Sequence, residues 1–166
     1  DYSAVNTRII GWRNEFDERV VIAAGRNSGI HQATPVVTSD GLVGSVTQVS
    51  PTAALVTLLT DESSAVQARD QDTSAFGLVR HGAGQNSLIV DRVTKDKLVK
   101  VGDVIVTAGT RSKQYPSLFP GGIPIGVVTS VGQSDTAPYK QIQIDPFVDF
   151  SSLDAVTALV RKKKGR

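Results

Sequence analysis

Short runs of Val, Ile and Leu, punctuated by Gly, Pro, Ser and Asp, set the rhythm of this chain. In Lys140-Gln141-Ile142-Gln143-Ile144 apolar and polar residues alternate, the pattern of a strand with one face in the core. Ala54 to Leu59 reads as apolar on both faces, the pattern of a strand covered on each side. Ser3 to Ile10 predicts a first strand ended by Gly11, and Val20 to Ala24 a second stopped by Gly25. Val36-Val37-Thr38 and Leu42 to Val49 flank Ser39-Asp40-Gly41, a hairpin-type turn. That makes five strands before residue 62. Beyond it, Ala65–Arg69, Phe76–Arg80, Leu88–Val93, Val104–Thr107, Ile123–Val131, Lys140–Ile144 and Val156–Val160 follow the same rhythm. Ser112 to Gly122, with two prolines and two glycines, is a loop. Helix is scarce, its best candidates being Asn14–Arg19 and Ser151–Ala155.

The pattern repeats along the chain. Val20-Val21-Ile22-Ala23-Ala24-Gly25 recurs as Val104-Ile105-Val106-Thr107-Ala108-Gly109 at an offset of 84, and Ser3–Ile9 falls on Ser87–Val93 at the same offset. Gly41–Val49 falls on Ile123–Val131 at an offset of 82, and Asp61 on Asp145 at 84. Such a drift is what changed loop lengths between duplicated units produce. Gly44 and Gly126 interrupt strands at matching places, and a mid-strand glycine marks a bulge or the tight bend of a barrel corner. The expectation is an all-β fold of two small six-stranded β-barrels in tandem with little helix. The first covers residues 1–64, with Val156–Val160 available as a strand to complete it; the second covers 65–160; residues 161–166 form a disordered basic tail.

Composition agrees: Val, Ile and Thr are abundant and fit pleated sheets better than helices. The charge needs correcting before it is used. Five of the 18 Lys and Arg lie in the last six residues, so the rest carries 13 basic against 16 acidic groups, a body near −3. That body, with aromatics at only 5%, argues against a nucleic-acid surface, which needs a basic groove and stacking platforms. The tail reads as a solvated end able to touch anionic lipid headgroups or an acidic polymer. Without cysteine there is no disulfide or thiol chemistry. No apolar run approaches the length of a membrane span. Asp1 rather than Met opens the chain, which points to a processed chain or a fragment with anchoring segments upstream.

Two six-stranded barrels in tandem is also the architecture of the chymotrypsin-like proteases. Their triad would take His and Asp from the first barrel and Ser from the second. His31 and Asp61 are available, but no serine immediately precedes Pro120-Gly121-Gly122; Ser117 lies three residues ahead of Pro120. His31 and His81, 50 residues apart, read as loop residues and offer no metal-ligand spacing. Asp70 and Asp72 lack the glycine and terminal Glu of a calcium loop and read as a solvated turn. His81-Gly82-Ala83-Gly84 neither opens a helix nor carries the Lys-Ser/Thr of a phosphate cradle. The chain reads as non-enzymatic, with no catalytic residue, cofactor or metal.

A further set of motifs runs in order across nearly the whole chain. It comprises Thr7-Arg8-Ile9-Ile10-Gly11, Pro35-Val36-Val37-Thr38 with Gly41-Leu42-Val43-Gly44-Ser45-Val46, and Leu58-Leu59-Thr60-Asp61. Gly102-Asp103-Val104-Ile105-Val106-Thr107-Ala108-Gly109 follows, then Phe119-Pro120-Gly121-Gly122-Ile123-Pro124-Ile125-Gly126-Val127-Val128, and the series Pro146, Asp149, Leu153, Val156. The ordered set resembles the extracytoplasmic domain of the bacterial rod shape-determining MreC family. Ala108 stands where that family commonly has Ser, and Gly121-Gly122 where it has Pro-x-Gly. The resemblance implies a scaffold of the cell-wall elongation complex, anchored by an upstream membrane helix, with this domain on the periplasmic side. It implies as partners the class B penicillin-binding transpeptidase with its glycosyltransferase, MreD and MreB, together with homo-oligomer formation and no nucleic acid. Its motif residues Gly41, Gly44, Leu59, Asp61, Gly102, Asp103, Gly109, Pro120, Pro124, Gly126, Pro146 and Asp149 set the fold. Trp12, Phe16, Tyr115, Phe119, Phe147 and Phe150, in or beside loops, are the candidate interaction anchors, each competing with packing inside.

Overall fold

Valine-rich strands pair side by side and close into two barrels. The computed structural model describes residues 2–12, 18–84, 86–109 and 119–162. Its strands are β1 (Tyr2–Trp12), β2 (Arg19–Ile22), β3 (Pro35–Val37), β4 (Leu42–Val49), β5 (Ala54–Leu58) and β6 (Ala65–Asp70). They continue with β7 (Phe76–His81), β8 (Leu88–Asp91), β9 (Val104–Thr107), β10 (Pro124–Gly132), β11 (Gln141–Pro146) and β12 (Ala155–Arg161). All pairings are antiparallel, and the sheets close in the neighbour orders β1-β12-β3-β4-β5-β2 and β10-β11-β8-β7-β6-β9. The all-β expectation of two six-stranded barrels holds.

The periodicities do what they predict. In β11, Ile142 and Ile144 enter the core while Gln141 and Gln143 face water. Every residue of β5 is buried. Val20, Ile22, Val36, Val56 and Ala158 belong to the first barrel's interior, and Val66, Val79, Leu88, Ile105 and Ile142 to the second's. Both belong to one continuous apolar cluster.

The first barrel is closed from the far end of the chain. β12 lies between β1 and β3, with β1 paired from Tyr2↔Arg161 to Arg8↔Ala155 and β3 through Val36↔Ala158. All six strands of the second barrel therefore lie between β5 and β12 in sequence. Arg161, counted with the basic tail above, is the last residue of β12, while residues 163–166 lie outside the described residues.

If β12 is placed ahead of β1, the two barrels have the same connectivity, strand for strand: β12-β1-β2-β3-β4-β5 corresponds to β6-β7-β8-β9-β10-β11. The likeness reaches single residues in β4 and β10. Register shifts fall between Val46 and Gln48 in one and between Val128 and Ser130 in the other. The hydroxyls of the bulged Thr47 and Thr129 donate to the carbonyls of Leu55 and Gln143. Gly44 and Gly126 lie opposite Leu58 and Pro146, and an added Cβ would stand 2.0 Å from the carbonyl oxygen of Thr57 and 2.4 Å from that of Asp145.

The matches at offset 84 do not hold. Val20–Gly25 contains β2, whose counterpart is β8, whereas Val104–Thr107 is β9, the counterpart of β3. Likewise Ser3–Ile9 lies in β1 but its match falls on β8, and Asp145 corresponds to Thr57, not to Asp61. Valine-rich strands ended by glycine look alike wherever they sit. Two further expectations need correcting. β1 runs through Gly11 to Trp12: a bulge at Ile10 leaves Gly11 paired opposite Val21. Ser151–Ala155 is no helix: its start is a turn and Ala155 opens β12. Of Asn14–Arg19, residues 14–17 lie outside the described residues and Arg19 begins β2.

Gly44→Ala and Gly126→Ala should each cost about 3 kcal/mol or more in urea unfolding, because backbone blocks the added methyl. Gly11→Ala, with nothing within 4 Å of its Cβ position, should stay within about 0.5 kcal/mol of wild type.

Candidate functional site

The family-motif residues are grouped by the fold into junctions. Gly41, at the start of β4, comes so close to β10 that its Cβ would lie 2.4 Å from the Pro124 carbonyl oxygen. Only glycine admits this approach of one barrel's backbone to the other. Leu59, buried, donates its N–H to the Val43 carbonyl at 3.0 Å. The loop between β9 and β10 is pinned at its base: the Thr107 hydroxyl donates to the Pro120 carbonyl at 2.6 Å and accepts the Ile123 N–H at 2.9 Å. Gly109, at φ 70°, packs against Gly121 there. Gly102, at φ 94°, turns the chain into β9, and its N–H donates to the Val128 carbonyl at 2.8 Å. Asp149 lies apart from these, in the turn after β11.

Between the barrels is a cleft of about 650 Å³. Glu18, Arg19, Asp61, Glu62 and Ser63 line it from the first barrel, and His81 from the second. The Asp61 carboxylate accepts the Ser63 N–H at 2.9 Å and hydroxyl at 2.6 Å, and stands 3.8 Å from Arg19 Nε. The Thr60 hydroxyl donates to Glu18 at 3.0 Å. Asp61 is thus committed to a turn and an ion pair. His31 lies outside this lining, on an exposed loop where its N–H binds the Thr34 hydroxyl. Ser117 lies outside the described residues. Glu18, Arg19 and Glu62 were not singled out in the sequence. Their only signal is charge at the edge of an apolar strand.

The aromatic anchors separate by burial. Trp12 is 48% exposed at the end of β1, opposite Val20 and so one residue from Arg19 of the cleft. Phe147 is 39% exposed, Phe119 packs partly against the core, and Phe150 is 2% exposed, a core residue and no anchor. Phe16 and Tyr115 lie outside the described residues. Ile10, 54% exposed beside Trp12, is an apolar surface residue that the alternation of β1 concealed. On the outside of the first barrel a shallow groove of about 390 Å³ is lined by Val21, Gln48, Val49, Ser50 and Leu55.

One acidic residue departs from the solvated-turn expectation. Asp70 is fully buried, because it ends β6 in register with Ile105 of β9 instead of lying in the turn. Burial and the neighbouring Asp103 carboxylate push its carboxyl above the ordinary carboxylate value. Asp149 shows the opposite effect. It accepts the Ser151 hydroxyl at 2.6 Å, the Ser152 hydroxyl at 2.8 Å and the Ser151 N–H at 3.0 Å, and these donors hold its carboxyl below the usual range.

The architecture defines a class: a pair of closed six-stranded barrels with common connectivity, the second inserted ahead of the strand that completes the first. Comparison with known proteins narrows it. Residues 10–160 match the family described as rod shape-determining protein MreC, barrel core, and the chain belongs to that family. It is 27% identical over 147 residues to the cell shape-determining protein MreC of Escherichia coli K12, a match covering 88% of this chain and 39% of that one. The crystal structure of MreC from Pseudomonas aeruginosa superposes with a TM-score of 0.83 at 25% identity, covering 94% of this chain and 98% of that one. A complex between penicillin-binding protein PBP2 and MreC from Helicobacter pylori contains the same fold, with a TM-score of 0.76 at 16% identity over 98% of this chain and all of that one.

Because the folded-state pKa of Asp149 is depressed, its contribution to stability is present above the unfolded value near 3.8 and is lost as pH falls through the lower folded value. Asp149→Ala should therefore lower the melting temperature at pH 7, and the difference from wild type should vanish in melts carried into the acid range.

Proposed function

We propose that this domain is a non-catalytic scaffold of the cell-wall elongation complex, holding cell shape by binding and regulating the peptidoglycan transpeptidase and its glycosyltransferase. The observation carrying this reading is that the tandem-barrel fold of this chain is the one found complexed with PBP2 in the Helicobacter pylori structure. Family membership supports the role in cell shape. The chain's own surface supports a protein partner: Trp12, Ile10 and Phe147 expose apolar area, and Trp is the residue most often found at the energetic centre of an interface.

The cleft is not arranged for hydrolysis, since Asp61 is engaged by Ser63 and Arg19 instead of orienting a histidine. Family resemblance extends the partner set to MreD and MreB and to further copies of the chain, with a membrane anchor upstream and this domain on the periplasmic side. No helix among the described residues is long and apolar enough to cross a membrane.

The test is direct binding of the purified domain to the transpeptidase ectodomain by surface plasmon resonance. Binding is expected, and Trp12→Ala should weaken it about 30-fold with an unchanged melting temperature, as loss of a central anchor does. Phe150→Ala should instead destabilise the fold by about 3–5 kcal/mol. No detectable binding would remove the reading.

A further inference from the structure

Three carboxylates meet where the strands of the second barrel turn over. Asp70 ends β6, Asp72 lies in the turn to β7, and Asp103 precedes β9. One carboxylate oxygen of each lies within 4.8 Å of the other two. Asp70 is 0% exposed. Its Oδ1 accepts the N–H groups of Asp72 and Thr73 at 2.8 and 3.2 Å, whereas its Oδ2, equally buried, has no hydrogen-bond partner among the described residues. Asp103 stands within hydrogen-bonding reach of the Asp70 side chain, and its Oδ2 accepts the Lys100 N–H at 3.0 Å.

A buried carboxylate oxygen facing another carboxylate is strongly unfavourable unless something positive lies between them. A shared proton would serve Asp70 and Asp103 and leave the exposed Asp72 carboxylate in water. A cation uses all three groups. All are hard oxygen donors, which select calcium or magnesium over softer-ligand metals. Calcium, with ligands near about 2.4 Å and a flexible geometry, accepts a more widely spread set of oxygens than magnesium, which demands a near-octahedral shell at about 2.1 Å. We propose that Asp70, Asp72 and Asp103 bind one calcium-type divalent cation, with water completing the shell on the exposed Asp72 side. The ion joins the β6–β7 turn to the start of β9. Those segments are already linked through the Gln71 N–H, which donates to the Val104 carbonyl at 2.9 Å.

No short window of sequence shows this site, because its third ligand comes from the approach to β9, far along the chain from Asp70 and Asp72. The test is calorimetric titration of the whole, chelator-treated chain with calcium chloride at pH 7, with thermal melts in parallel. One saturable site is expected, with a higher melting temperature in calcium than in chelator. Asp72→Asn, at an exposed position, and Asp103→Asn should each weaken binding about tenfold or more. Three results would overturn the proposal: no saturable binding up to about 10 mM, well above the range of weak extracellular calcium modules; undiminished binding in both variants; or melts indifferent to calcium but stabilised by mild acid, the behaviour of a shared proton.

Discussion

Closure of the first barrel by β12 is the constraint on which the rest of the structure depends. Without that strand, β1 and β3 are open edges and the interior packed around Val36, Val156 and Ala158 loses a wall. A sheet edge is a row of unpaired N–H and carbonyl groups, and a closed barrel is the arrangement that removes it. The pairing Tyr2↔Arg161 joins the two ends of the described chain, so the second barrel is held as a large excursion between neighbouring walls of the first. The two halves are thereby mechanically joined, although most of their strand contacts are internal to each barrel.

Within this frame, backbone proximity does the positioning. Gly44 and Gly126 let a strand pass over a carbonyl of its neighbour, and Gly41 lets one barrel touch the other at Pro124. The bulged threonines repeat the same hydroxyl-to-carbonyl bond in each barrel. Sites on such a frame occupy its seams. The cleft around Arg19 and Asp61 lies between barrels, and the carboxylates of Asp70 and Asp103 lie at the ends of adjacent strands. The exposed Trp12 stands at a strand end near the cleft, where a partner could reach both barrels.

Strands were legible because their signal is local. The alternation of β11 and the apolar run of β5 each report the faces of a single strand. The equivalence of β4 and β10 was also legible, since glycine and the bulged threonine are chemically distinct markers. Matches of a β-branched run ended by glycine, such as Val20–Gly25 with Val104–Gly109, were not reliable, because β-branched residues suit any buried strand. The sites were harder to read. Asp70 looks like a turn residue in sequence and is buried only because β9 pairs with it. Arg19 and Asp61 meet through the order of β2 and β5, which no short window contains. Phe150 looked like a loop aromatic, and its burial reflects how the turn after β11 folds back.

The order of strands also fixes an order of events. As the polypeptide is made from its first residue onward, β1 to β5 emerge early yet cannot form a complete cylinder, while β6 to β11 contain every partner they need. The later-born barrel is thus the first able to mature. The earlier one waits with two unsatisfied margins until the final strand arrives, and that interval is when the nascent protein is most open to sticking to its neighbours or to being held by a chaperone.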